Sequence, residues 1–171
     1  MKEKIKIALP TAIGVALLPP IWAVLSELCG IEFGWIALAT AGIYVAAGDN
    51  IKNGLSISSG FFMGCVWGYI ATKILKHYLG INHYLLLFSV LCIMGFICVI
   101  LAFTILEKVV FLPAWLGGWA IALGTFGQAD TSAMGITFIK LFIAMLAGVW
   151  YIGAFNNYFQ NFIRKKIDRN E

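Results

Sequence analysis

Few groups in this chain are able to do chemistry: Asp49 in "YVAAGDNIKNG", Asp130 in "TFGQADTSAMG", and Lys140 inside the last apolar run. Asp49 is followed by Asn50, Asn53, Ser56, Ser58 and Ser59, a set of donors and acceptors suited to a small polar solute. They stand where a following helix would present unpaired N–H groups and its positive dipole end. The plainer reading of Asp49 is a cap or loop residue at a membrane surface. Asp130 carries the same two readings, since "DTS" suits the cap of the next helix and Gln128 beside it adds a donor and an acceptor. Lys140 lies about eight residues, or roughly 12 Å, into its helix. A lysine at that depth faces a bundle interior, a wet cavity or an acid such as Asp49 or Glu107, or else snorkels in part. Unpaired in a pore, it would favour anions or neutral solutes and repel cations.

Trp67 and Trp150 sit deep in their apolar runs and are the tryptophans placed to constrict a path, although packing is the plainer reading of each. A substrate path is therefore expected along Asp49, Asn50, Asn53, Asp130, Lys140, Trp67 and Trp150. Catalytic constellations are missing. His77 and His83 share one loop, and no HExxH, GxSxG or phosphate-cradling glycine loop occurs. A membrane enzyme would have to use a buried pair such as Asp130 with Lys140. The expectation is no catalytic residue, no cofactor and no metal. Cys29, Cys65, Cys92 and Cys98, without a CxxC, read as packing residues.

The elements that hold these groups are apolar. Hydrophobic residues make up 61% of the 171 residues and charged ones 12%, half the share of a soluble domain, so the chain reads as a membrane protein. The net charge of +4 does not point to nucleic acid, because Lys2, Lys4, Lys6, Arg164, Lys165, Lys166 and Arg169 stand at the ends, where bases orient membrane helices. The basic, then apolar start is followed by no small-residue cleavage motif and reads as a retained first helix. Apolar periodicity predicts six helices, over 6–28, 33–48, 54–75, 84–106, 109–127 and 132–158, in a single transmembrane domain spanning 1–171 with a short basic tail at 159–171. With both termini cytoplasmic, nine bases lie inside against Lys73 and Lys76 outside, which favours N-in, C-in. Five spans with a re-entrant fifth segment is the alternative. Pro19-Pro20 should kink or break the first helix.

A weak internal echo relates the halves, about 6–75 and 84–158. "YVAAGD" matches "TFGQAD" and "GCVWGY" matches "AGVWYI"; Trp67 follows Asp49 by 18 positions, and Trp150 follows Asp130 by 20. Three helices per unit reverse the second unit in the membrane, giving an inverted 3+3 repeat of the kind from which transporters and channels are built. Gly60, Gly64 and Gly68 fall on one helix face and predict close helix packing.

The stretches "FGWIALATAGIYVAAGD", "GFFMGCVWGYI" and "LPAWLGGWAIALGTFGQAD" resemble the YcdZ-like bacterial inner-membrane proteins, domain-of-unknown-function family 1097. The resemblance implies a small multi-pass protein of the bacterial inner (cytoplasmic) membrane and carries over no functional residue. The expectation is an all-α channel or facilitator for a small neutral or anionic solute, homo-oligomeric, with the lipid bilayer and that solute as partners and no nucleic acid. The rival is a non-transporting subunit or scaffold whose glycine faces bind partner helices.

Overall fold

The structure, a computed structural model, describes the backbone of residues 2–78 and 82–168 and the side chains of 9–78 and 82–163. The side chains of Lys2, Lys4, Lys6, Arg164, Lys165, Lys166 and Arg169, which carry most of the orientation signal, lie outside the described residues. The described elements are all helical: α1 (Lys2–Leu28), α2 (Ile36–Ala46), a 3-10 turn (Ile51–Asn53), α3 (Gly54–His77), α4 (His83–Phe103), α5 (Leu112–Gln128), α6 (Met134–Ala147), a π-helical stretch (Gly148–Phe155) and α7 (Asn156–Asp168). Four stretches are long and apolar enough to cross a bilayer, namely Leu9–Leu28, Ile51–His77, His83–Phe103 and Met134–Ile163. The protein is a helical membrane protein. Its α2, at 11 residues, is about 17 Å long and too short to cross alone.

One expectation about continuity narrows and another changes. The first helix runs unbroken from Lys2 to Leu28 through Pro10, Pro19 and Pro20. Each proline removes one N–H donor, and the carbonyls that Pro19 and Pro20 leave without a helical donor belong to Val15 and Ala16, both exposed residues. The last helix extends beyond 158, through the π stretch and into α7.

The chain forms two compact units that cut across the expected halves: residues 1–54 with 144–171, and residues 55–143. In the first, α2 buries Ile36, Ala37, Thr40, Ala41 and Tyr44, a stripe at helical spacing. That stripe lies on the π stretch. A Cβ on Gly148 would collide with Thr40 Oγ1 and the Ala37 carbonyl, and one on Gly153 would come within 2.6 Å of the Tyr44 ring. Thr40 Oγ1 donates to the Met145 carbonyl at 3.2 Å, which ties the helices across the contact. Because Ala37 and Thr40 meet Gly148, and Tyr44 meets Gly153, the two helices run parallel. Trp22 on α1 donates to Gly34 O at 3.0 Å, and Thr11 Oγ1 donates to Gln160 Oε1 at 2.8 Å, joining α1 to the start of α2 and to α7.

In the second unit the glycine face of α3 is filled by α5. A Cβ on Gly60 would stand 2.6 Å from Phe111 O, and one on Gly64 would stand 2.6 Å from Trp119 N. One on Gly68 would overlap the Ala122 methyl. These contacts also advance together, so α3 and α5 run parallel. Phe111 N–H donates to Ser56 O at 3.0 Å at the start of the pair. Val90, Met94, Cys98 and Ala102, buried every fourth residue along α4, cover Trp119 and Trp115 from the other side. Phe126, stacked on Phe138 at 6.2 Å, connects α5 to α6.

Candidate functional site

The polar break after α2 is built by two successive left-handed residues. Gly48 has φ +94° and Asp49 has φ +50°, a conformation that stops the helix and that aspartate tolerates better than most side chains. The loop is then tied down by asparagines. Asn53 Nδ2 donates to Ala47 O at 2.9 Å, satisfying a carbonyl just past the end of α2. Asn157 Nδ2, from the first turn of α7, donates to Asp49 O at 2.6 Å. Asn50 acts locally, its Oδ1 accepting from Lys52 N–H at 3.0 Å. Burial raises the Asp49 carboxyl above the ordinary carboxylate range, and its hydrogen bond with Asn157 partly offsets this.

The expected row of open amides at the start of α3 is partly used up. The 3-10 turn takes Asn53 N–H, which donates to Asn50 O at 2.9 Å, and Gly54 N–H, which donates to Ile51 O. Trp150, from the π stretch, lies on Gly54, where an added Cβ would come within 2.9 Å of its ring. Asp49, Asn50, Asn53 and Trp150 therefore belong to one compact unit.

Among the described residues, buried polar atoms without a hydrogen-bond partner are Tyr44 Oη and Asn156 Oδ1 in this unit and Thr72 Oγ1, Trp115 Nε1 and Trp119 Nε1 in the other. Tyr44 is fully buried and Asn156 is 6% exposed. Asn156 sits in a notch on α1, since a Cβ on Gly14 would overlap its Oδ1. An unpaired buried polar atom costs about 1–3 kcal/mol, and water or a polar solute would relieve that cost. The π stretch, which contains Tyr44's contact Gly153 and ends just before Asn156, is the kind of irregularity that recurs at functional sites.

Trp67, Asp130 and Lys140 belong to the other unit. Trp67 is a packing residue there, edge-on to Trp115 at 5.0 Å, with its Nε1 donating to Met94 O at 3.1 Å. The Asp130 carboxylate is exposed and makes no cap bond; its backbone carbonyl accepts from Ala133 N–H at 3.0 Å. The end of α5 is instead held by Lys76, whose Nζ donates to Phe126 O at 3.0 Å and Ala129 O at 2.6 Å. Lys140 is half-buried, and within its own unit Glu107 is not its ion-pair partner.

Tyr44, Asn156, Asn157 and Lys76 were not among the residues singled out by type and spacing. The signal for the asparagines is slight: "NNY" interrupts an aromatic run, and Asn157 meets its partner across 108 positions. No curated protein and no solved structure matches the chain. One family model does, over residues 12–161 and hence most of its length, and the chain belongs to that family, the proteins of unknown function DUF1097.

Proposed function

We propose that the protein is a small channel or facilitator of the bacterial inner membrane that passes a small neutral or anionic polar solute, passively or coupled to an ion. The observation that carries this reading is the pair of buried, unpartnered polar atoms, Tyr44 Oη and Asn156 Oδ1, in the unit that holds the Asp49 loop. Polar groups at membrane depth are costly and are kept where they line a solute or water path.

The packing supports an inverted 3+3 repeat of six spans, N-in and C-in. In the first unit the short α2 runs parallel to the last helix and touches a glycine on it; in the second, α5 runs parallel to α3 and touches a glycine on that. Each middle helix thus pairs with the third helix of the other half, an exchange that matching halves would produce twice. Helices that alternate through six spans place each such pair in the same direction. For the rival, a scaffold whose glycine faces bind partner helices, the face of Gly60, Gly64 and Gly68 is one that α5 of the same chain already fills. Catalysis has no place in this reading.

Purified protein in liposomes, assayed by flux or swelling with urea, small amides, ammonium, formate and halides, tests the proposal. Selective passage of a neutral or anionic solute above empty vesicles is expected. Vesicles with protein that match empty ones for every solute would sink it.

A further inference from the structure

A second polar site lies wholly within the unit of residues 55–143. A cavity of about 490 Å³ opens where α3 ends and α6 begins. Lys73, Lys76, His77 and Thr131 are its polar lining residues. Ile74, Tyr78 and Met134 supply its apolar side. Lys76 is fixed in place by the two α5 carbonyls it caps, and Lys73 Nζ sits 4.9 Å over the Tyr69 ring. Both ammonium groups are thereby held on a firm backing of helix. The start of α6 adds the positive end of a helix dipole to the same cavity. The acid next to it in sequence is Asp130, one carboxylate against two lysines, so the site stays electropositive.

Its depth identifies the occupant. The cavity sits at the limit of two apolar spans, Ile51–His77 and Met134–Ile163, which is the level of lipid headgroups. Tyr78, 49% exposed, stands at that level as an interfacial aromatic does. A soluble anion would gain nothing from Ile74 and Met134, whereas a phospholipid sets its phosphate on the bases and its glyceryl and acyl carbons on the apolar wall. We propose that this cavity binds the headgroup of an anionic phospholipid. The assignment also accounts for the two lysines that count against the N-in, C-in orientation: Lys76 closes α5 and Lys73 holds lipid phosphate, so neither is there to direct topology. It stands independently of the transport reading.

The test is native mass spectrometry, with thermal melting alongside, of the full chain in zwitterionic detergent with phosphatidylglycerol or phosphatidylcholine. Wild type should retain and be stabilised by phosphatidylglycerol in preference to phosphatidylcholine. Lys73→Gln should weaken that retention about fivefold, as loss of one base near a membrane surface does. Lys108→Gln, outside the cavity, should leave it unchanged, and circular dichroism should show both variants folded. Equal retention of the two lipids, or equal retention by wild type and Lys73→Gln, would overturn the proposal. Displacement of phosphatidylglycerol by millimolar inorganic phosphate would overturn it too, by making the ligand a free anion.

Discussion

Asp49 joins backbone geometry to charge. Its φ of +50° suits Asn or Gly as well as Asp, but a β-branched residue there adds roughly 1–2 kcal/mol of strain. Asp49→Asn should therefore add no backbone strain, whereas Asp49→Val should lower the melting temperature. The pH dependence has a definite sign. Burial raises the carboxyl above 3.8, so the folded protein holds this proton more tightly than the unfolded chain. Stability from this group is full below the ordinary value and falls as pH rises toward the raised one. Melts of wild type and Asp49→Asn should accordingly converge at about pH 4 and separate toward neutrality, with the asparagine variant the more stable. A constant difference across that range would contradict this. Asp49 was legible in the sequence because it interrupts an apolar run; Asn157 was not, since nothing local announces a bond across 108 positions.

Helix elements were legible where a pattern repeats. The spacing of Gly60, Gly64 and Gly68 announced a close contact, and α5 with its first flanking residue provides it, with backbone atoms under 3 Å from where a Cβ would be at Gly60 and Gly64 and the Ala122 methyl against Gly68. Gly64→Ala should cost about 1–3 kcal/mol by overpacking, seen as a lower melting temperature, while Gly42→Ala, with open space around it, should be neutral or slightly stabilising. The role of Lys76 was hidden, because a lysine after an apolar run reads as an interfacial base. Lys76→Met should free the Phe126 and Ala129 carbonyls and raise amide hydrogen exchange over the last turn of α5, at a cost near 1 kcal/mol. Unchanged exchange there would show the cap to be inert. Of the kink or break expected at Pro19-Pro20, the break is absent, since α1 runs unbroken through both prolines.

At the scale of the whole molecule, composition was enough to reveal a helical membrane protein, and the family match places it among proteins of unknown function. The division into units was not legible: hydropathy follows chain order, whereas α2 packs on residues more than a hundred positions away. The proposed solute path rests on the unpaired hydroxyl of Tyr44, which makes Tyr44→Phe the most direct test. That substitution removes one oxygen from a buried site, so the fold should be kept or stabilised. Flux through liposomes is the measurement. Wild type should pass at least one neutral or anionic solute faster than empty vesicles, and Tyr44→Phe should slow it about fivefold, the value of one hydrogen bond to the passing solute. Wild type indistinguishable from empty vesicles, or Tyr44→Phe indistinguishable from a conducting wild type, would contradict the account.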